Sequence, residues 1–331
     1  MTRDAPALLC SLSESHTFGA EVASRAGIDV LPLEERPFEE GEFKLRPLDS
    51  VRGRTVFVAQ SLAGSADSPV SQRLVRLLFL LFGLRDASAA RVIALVPYLS
   101  YARKDRRTQL RDPVNTRYVA QLLEATGVTG LVCLDVHNPA ALDNAFRIPV
   151  DHLSALPMFV RHFADRLPKG ELAVASPDVG GVKRAQIFRE LLMKQLGREV
   201  DLVFVEKRRA QGVVSGGTVV GSVEGRTIIV LDDLCASGQT LIRAASSLRA
   251  AGAAAVHVAF THAPLARGLA AVSDCDDIAS VITTDSTAQS AAPHSRLTEL
   301  HVAPLFAEAV SRMVAGAPLA PLLHRWPPIG S

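Results

Sequence analysis

One frame occurs twice in the chain: Val51–Val58 reads VRGRTVFV and Val223–Val230 reads VEGRTIIV. Each copy sets a Gly-Arg turn before an apolar run rich in β-branched residues, the pattern of a strand buried on both faces. Each is followed by a loop, an apolar helix, a short turn and a further apolar run, Arg91–Pro97 (RVIALVP) after the first and Ala255–Thr261 (AVHVAFT) after the second. Duplication of one α/β domain accounts for the repeat; chance likeness over so few residues is the bland alternative. A chain of 331 residues is long enough for two domains of ordinary size.

Strand-sized apolar runs fall at Thr55–Ala59, Arg91–Val96, Gly130–Leu134, Leu172–Ala175, Leu202–Val205, Ile228–Leu231 and Val256–Phe260, with helical patterns between them. This alternation predicts two tandem α/β domains with mainly parallel sheets flanked by helices, whose ligands bind at the carboxyl ends of the strands. The boundary is expected near Ala155–Pro157, giving domains 1–155 and 156–314. Helices are expected at Met158–Leu167 and Pro304–Val314. The Pro-rich residues 315–331 lack helical period and are expected to form a loosely ordered extension.

A hydrophobic content of 48% supports sizeable cores, and a net charge of +2 gives no global basic field, so nucleic acid is not an expected partner. The longest apolar stretch, Leu77–Phe82, is far shorter than the roughly 20 residues of a membrane span. The opening MTRDAPALLCSLSES lacks the long apolar core and cleavage site of a signal peptide, so a cytoplasmic protein without membrane contact is expected. Cys10, Cys133, Cys235 and Cys275 form no C-x-x-C pair and read as reduced thiols in or near the core.

Chemistry concentrates in Ile228–Thr240, IIVLDDLCASGQT. A strand, Ile228–Leu231, leads into a loop and then an amphipathic helix, Leu241–Ala251, which Gly252 ends. At a helix amino end, free backbone N–H groups and the helix dipole favour phosphate, with the Ser237 and Thr240 hydroxyls as extra donors. Asp232 and Asp233 repel phosphate, so their partners are sugar hydroxyls or a metal. A phosphate cradle beside two carboxylates suits a phosphorylated sugar; a solvated βα turn is the bland reading. The first copy of the frame has Ala59 and Gln60 in place of the two acids, so only the second half carries this loop.

The stretch resembles the PRPP (phosphoribosyl diphosphate) loop of the type I phosphoribosyltransferase fold, two acids, three variable residues and Thr-Gly-Gly-Thr. Ala236 is the third variable residue, and Ser237, Gly238, Gln239 and Thr240 stand for the last four. Gln239 occupies a position where a positive φ or close phosphate approach would favour Gly. The resemblance implies two phosphoribosyltransferase-like domains and assigns Asp232, Asp233, Ala236, Ser237, Gly238, Gln239 and Thr240 to ribose 5-phosphate.

Further segments extend the likeness in chain order. Phe38–Glu42, FEEGE, is on its own an exposed acidic turn. It resembles the Phe-x-Asp-Gly-Glu of PRPP synthetases, where the aromatic stacks on adenine and the acids meet its amino edge, which implies Phe38, Glu40 and Glu42 at ATP. Pro97–Arg107, PYLSYARKDRR, reads as a solvated charged face or, from the aromatic lead-in Tyr98 and Tyr101, as a loop folded back on the protein. It is similar to the family's Pro-x-x-x-Tyr-Ala-Arg-Gln-Asp, implying Arg103, Lys104 and Asp105 at the nucleotide. Asp112 and Pro113 in DPVNT then read as N-cap and first residue of a helix. LDVHN, Leu134–Asn138, ends a strand with a His that is structural on the bland reading. It matches the family's Asp-Leu-His, implying His137 at the metal–nucleotide. VASPDVGGVKR, Val174–Arg184, resembles Ser-Pro-Asp-x-Gly-Gly-x-Lys-Arg, implying Asp178 at metal and ribose. EKRR, Glu206–Arg209, is a basic turn or, by the likeness, a mobile flap whose Lys207 and Arg209 cover the transferring group and are catalytic.

Together the segments resemble the ribose-phosphate diphosphokinase (PRPP synthetase) family. That implies ATP and ribose 5-phosphate as substrates, Mg²⁺ as cofactor held at His137 and Asp178, and a homo-oligomer, dimer or hexamer. Two alternatives stand beside it, a regulatory paralogue associated with an active synthetase and a phosphoribosyltransferase.

Overall fold

The computed structural model describes residues 7–167, 170–210, 213–287 and 293–323, with the backbone alone for 206–210 and 213–217. The elements run β1 (Leu8–Ser11), α1 (His16–Ala26), β2 (Asp29–Val30), β3 (Leu33–Pro37), β4 (Phe43–Pro47), β5 (Thr55–Ala59), α2 (Val70–Asp86), β6 (Arg91–Val96), α3 (Asn115–Ala125), β7 (Gly130–Leu134), α4 (Pro139–Ala145) and β8 (Val150–Leu153). They continue α5 (Leu156–Ala164), β9 (Leu172–Ser176), α6 (Val182–Leu196), β10 (Asp201–Ala210), β11 (Val213–Val220), β12 (Thr227–Leu234), α7 (Gln239–Ala250), β13 (Ala255–His262), α8 (Ala266–Ser273), β14 (Ser280–Thr284), β15 (Leu297–Leu300) and α9 (Ala303–Ala315).

Among the described residues, one compact unit comprises 7–154, 286–287 and 301–323, and a second comprises 155–167, 170–210, 213–285 and 293–300. The first holds a parallel sheet ordered β2-β1-β5-β6-β7-β8. The second holds β11-β10-β9-β12-β13-β14-β15, parallel throughout except for the antiparallel β10–β11 pair. The second sheet repeats the first strand for strand, β9 for β1, β10 for β2 and β12 for β5, then adds β11. The two copies of the repeated frame fall on these equivalent strands, β5 and β12. Both are buried on their two faces, which is why neither shows polar alternation.

Three expectations need correction. Helix α9 is not part of the second domain: it packs on α1 in the first unit, where Phe18 and Phe306 meet edge to face with ring centres 5.2 Å apart. The tail is not loose as far as it is described. After Gly316 it forms a short turn at Ala320–Leu322, and Leu323 bridges Leu153 on β8, an edge strand whose free backbone groups offer that pairing. Asp112 does not cap α3, which follows Val114. Its carboxylate accepts instead from the backbone N–H groups of Thr108 and Gln109 and from Lys104, a local turn that competes with the cap. Cys10, Cys133 and Cys235 are buried free thiols and Cys275 is partly exposed.

Candidate active site

In the second unit, β9 and β12 lie side by side in parallel, with Ala175 opposite Val230, so the loops that follow them leave the same end of the sheet. Asp232 and Asp233 stand near the carboxyl end of β12, just before its last residue Leu234, and Asp178 stands two residues beyond β9. The Asp178 carboxylate accepts from the Gly181 N–H at 3.2 Å, capping the turn into α6, while Ser176 Oγ donates to the Asp178 carbonyl at 2.5 Å. A Cβ on Gly181 would lie 2.6 Å from Ser176 Oγ, so the Gly keeps this turn tight.

Arg184, one turn into α6, reaches Asp233 Oδ1 at 2.8 Å and Asp232 Oδ1 at 3.5 Å. Asp232 Oδ1 also accepts from the Asp233 backbone N–H at 2.9 Å. Burial, then the adjacent Asp233 carboxylate, raise the Asp232 carboxyl above the usual carboxylate range, and Arg184 opposes the rise. Two adjacent carboxylates and one guanidinium thus stand together at the end of the sheet where ligands of such folds bind.

After β12 the chain turns through Cys235–Gly238 into α7. Gly238 has φ +77°, and a Cβ there would lie 2.9 Å from the Gly268 carbonyl on α8. Gly268 is closer still, since its Cβ would stand 2.1 Å from the Ala236 carbonyl. These two glycines let the loop lie on the backbone of α8. Gln239 is the first residue of α7 and is not among the positive-φ residues, so the left-handed turn belongs to Gly238 alone. Ser237 and Gln239 are exposed and Ala236 and Thr240 half-buried around the helix entry, where the first N–H groups have no partners within the helix.

The first unit gathers a second set at the corresponding end of its sheet. Arg103, Lys104 and Asp105 follow β6, and His137 follows the neighbouring β7. Asn138 Nδ2 donates to Asp105 Oδ2 at 2.6 Å, tying the two loops together, while its Oδ1 caps α4. Arg103 and His137 are exposed, whereas Lys104 turns to Asp112 at 2.5 Å. Tyr101 (φ 63°) and Asp135 (φ 35°) adopt left-handed backbone just before Arg103 and His137, strain of the sort that collects in functional loops. Phe38, Glu40 and Glu42 occupy the turn of the β3–β4 hairpin, where Gly41 has φ +91° and Arg36 stacks on the Phe38 ring at 4.9 Å.

Lys207 and Arg209 lie on β10 and not in a loop. β10 pairs with β9 only over Asp201–Phe204, and beyond that its partner is β11, with an irregular register between Lys207 and Arg209. Their side chains lie outside the described residues. No group of three or more metal-ligating side chains occurs among the described residues. One carboxylate in the turn after β9 and two near the end of β12 fit a hard cation that takes one or two protein oxygens and completes its shell from a polyphosphate.

Two tandem units of one topology, the second with a glycine-bearing helix entry that follows the carboxylates of β12, define a duplicated α/β protein of the phosphoribosyltransferase type. Sequence comparison narrows the class. The profile of the N-terminal domain of ribose phosphate pyrophosphokinase matches residues 7–127, and that of the phosphoribosyl transferase domain matches residues 158–294. The ribose-phosphate pyrophosphokinase of Granulibacter bethesdensis is 37% identical over 295 residues, 88% of this chain and 92% of the relative. That of Staphylococcus aureus is 33% identical over 307 residues, 92% of each chain. The crystal structure of phosphoribosylpyrophosphate synthetase from Mycobacterium smegmatis aligns with a TM-score of 0.83 and 31% identity, covering 95% of this chain and 100% of that one. The chain belongs to the ribose-phosphate pyrophosphokinase family.

Proposed function

We infer that this chain is a ribose-phosphate diphosphokinase that transfers the β,γ-diphosphoryl group of ATP to the C1 hydroxyl of ribose 5-phosphate, giving PRPP and AMP for nucleotide biosynthesis. The observation that carries the reading is the end of β12, where Asp232 and Asp233 are followed by the turn Cys235–Gly238 that leads into α7. The 5-phosphate lies on the N–H groups and hydroxyls of Ala236–Thr240, and Asp232, Asp233 and Asp178 take the ribose hydroxyls and metal. Held in this way, the C1 oxygen attacks the β-phosphorus and gives up its proton to solvent water. The bond from that phosphorus to the α–β bridging oxygen breaks, and AMP leaves.

Phe38, Glu40 and Glu42 read adenine by a π face and amino-edge acceptors, and Arg103 with Asp105 borders the phosphates. Lys207 and Arg209 stabilise the charge on the transferring group, where most of the catalytic work of phosphoryl transfer lies. The two expected metal ligands stand in different units, Asp178 in the second and His137 in the first; each would offer a ligand to Mg²⁺, which would supply charge neutralisation on the polyphosphate. A homo-oligomer is the expected assembly. Among the described residues no helix is long and apolar enough to cross a membrane.

The deciding assay is AMP release from ATP and Mg²⁺ with and without ribose 5-phosphate. Release that depends on the sugar phosphate, with PRPP formed in equal amount, is expected. ATP turnover indifferent to ribose 5-phosphate would refute the assignment.

A further inference from the structure

The β3–β4 hairpin forms a two-stranded sheet that pairs with no other described strand. A lone hairpin is marginal in water, so side chains must hold it to the body of its unit. Its faces divide by the two-residue period of a strand. Glu34, Arg36, Lys44 and Arg46 lie on one side, where Glu34 pairs with both Lys44 and Arg46. Leu33, Glu35, Phe43 and Leu45 lie on the other, with Leu33 and Leu45 packed on the core of the first unit. Glu35 is thus the charged residue on an otherwise apolar inward face. Burial raises its carboxyl, and Arg76 opposes the rise.

Arg76, on α2, meets Glu35 through one guanidinium nitrogen and Glu14 through the other, the latter at 2.5 Å. The same guanidinium lies 5.9 Å from the centre of the Phe43 ring on β4, and Phe43 in turn packs on Phe79 of α2 at 5.5 Å. Arg76 is 14% exposed, Glu14 12% and Glu35 20%, so water screens this cluster little. One guanidinium therefore joins both strands of the hairpin to α2 and to the turn before α1. Ser68 donates to the Glu14 carboxylate and accepts from Arg73, which fixes that carboxylate in place.

We propose that Arg76 is a positioning residue that, through Glu35 and Phe43, sets the pose of the hairpin carrying Phe38, Glu40 and Glu42, and so governs adenine-nucleotide affinity without touching the nucleotide. The inference rests on the reading of that hairpin as the adenine reader. Misplacement of a binding group by about 1 Å can cost up to about 10²-fold. The loss falls on KM when the interaction is shared by ground and transition states.

The test uses the full chain. Glu35→Gln removes the charge but keeps shape and an acceptor, so it leaves no unpaired buried carboxylate on the hairpin. It should raise KM for ATP about tenfold, leave kcat within about twofold and KM for ribose 5-phosphate unchanged, and narrow the preference for ATP over GTP. Arg76→Met should do the same more strongly, and the double variant Arg76→Met/Glu35→Leu, with apolar packing in place of the ion pair, should recover part of the ATP affinity. Phe38→Ala separates the two claims. An unchanged KM for ATP in Phe38→Ala overturns both the hairpin reading and this inference. A raised KM in Phe38→Ala beside wild-type values in folded Glu35→Gln overturns the positioning role alone, as does an equal fall of kcat with both substrates.

Discussion

Because burial and the Asp233 carboxylate raise the Asp232 carboxyl, the folded protein holds that proton to higher pH than the unfolded chain does. Between the ordinary Asp titration near about 3.9 and the raised value, the folded state binds more protons, so stability falls as pH rises. Asp232→Asn removes that penalty. Its melting temperature without ligands should exceed that of the wild type near pH about 7, and the gap should close toward pH about 4. Diphosphokinase turnover should be lost, and a melting temperature equal to the wild type at both pH values would contradict the account. Lys207→Ala should lower kcat by about 10²–10³ with little change in KM for ATP, because its cation meets charge that develops during transfer. At this scale the sequence put Asp178 after one apolar run and Asp232 and Asp233 after another, and the structure sets all three at the same end of the second sheet. Arg184 was not legible as their counterion. A helix period places it on α6 but does not say that its fork reaches the end of β12.

Between residues and the whole lie contacts of backbone on backbone, and the loop between β12 and α7 depends on one. The Ala236 carbonyl occupies the space a Cβ on Gly268 would need, and Gly238 faces the Gly268 carbonyl. Gly268→Ala must therefore push α8 away from the loop or the loop away from α8. KM for ribose 5-phosphate should rise by about tenfold or more while KM for ATP stays unmoved. Titrating both substrates in the purified variant checks this, and an unchanged sugar-phosphate KM would show that the loop tolerates the shift. Gly238 could be anticipated from its place in the loop, but Gly268, thirty residues further along, could not. Nor did β3 and β4 announce themselves: LEERP and FKLRP carry charges and terminal prolines, and their strand character comes from pairing with each other. The buried strands β5, β6 and β7 were legible to the residue because continuous apolar runs bounded by turns leave few alternatives.

At the scale of the chain, α9 shows what periodicity cannot supply. Its apolar face was evident from Pro304–Val314, yet an amphipathic pattern says only that a helix is buried, not against which unit. Sequence order favours the second domain, whereas the structure returns the helix to α1 in the first. Phe306 is fully buried and meets the Phe18 ring edge to face, so the return is held by core packing and not by a surface contact. Phe306→Ala should cost about 3–5 kcal/mol, the usual range for truncating a buried Phe. The cost should fall on the first unit, since stability is distributed among cooperative segments that open separately. Amide exchange in the variant should therefore quicken in α1, β1 and β5, while α7, β13 and β14 of the second unit keep wild-type protection. The opposite pattern, fast exchange in β13 and β14 with α1 unchanged, would assign the helix to the domain that precedes it in the sequence.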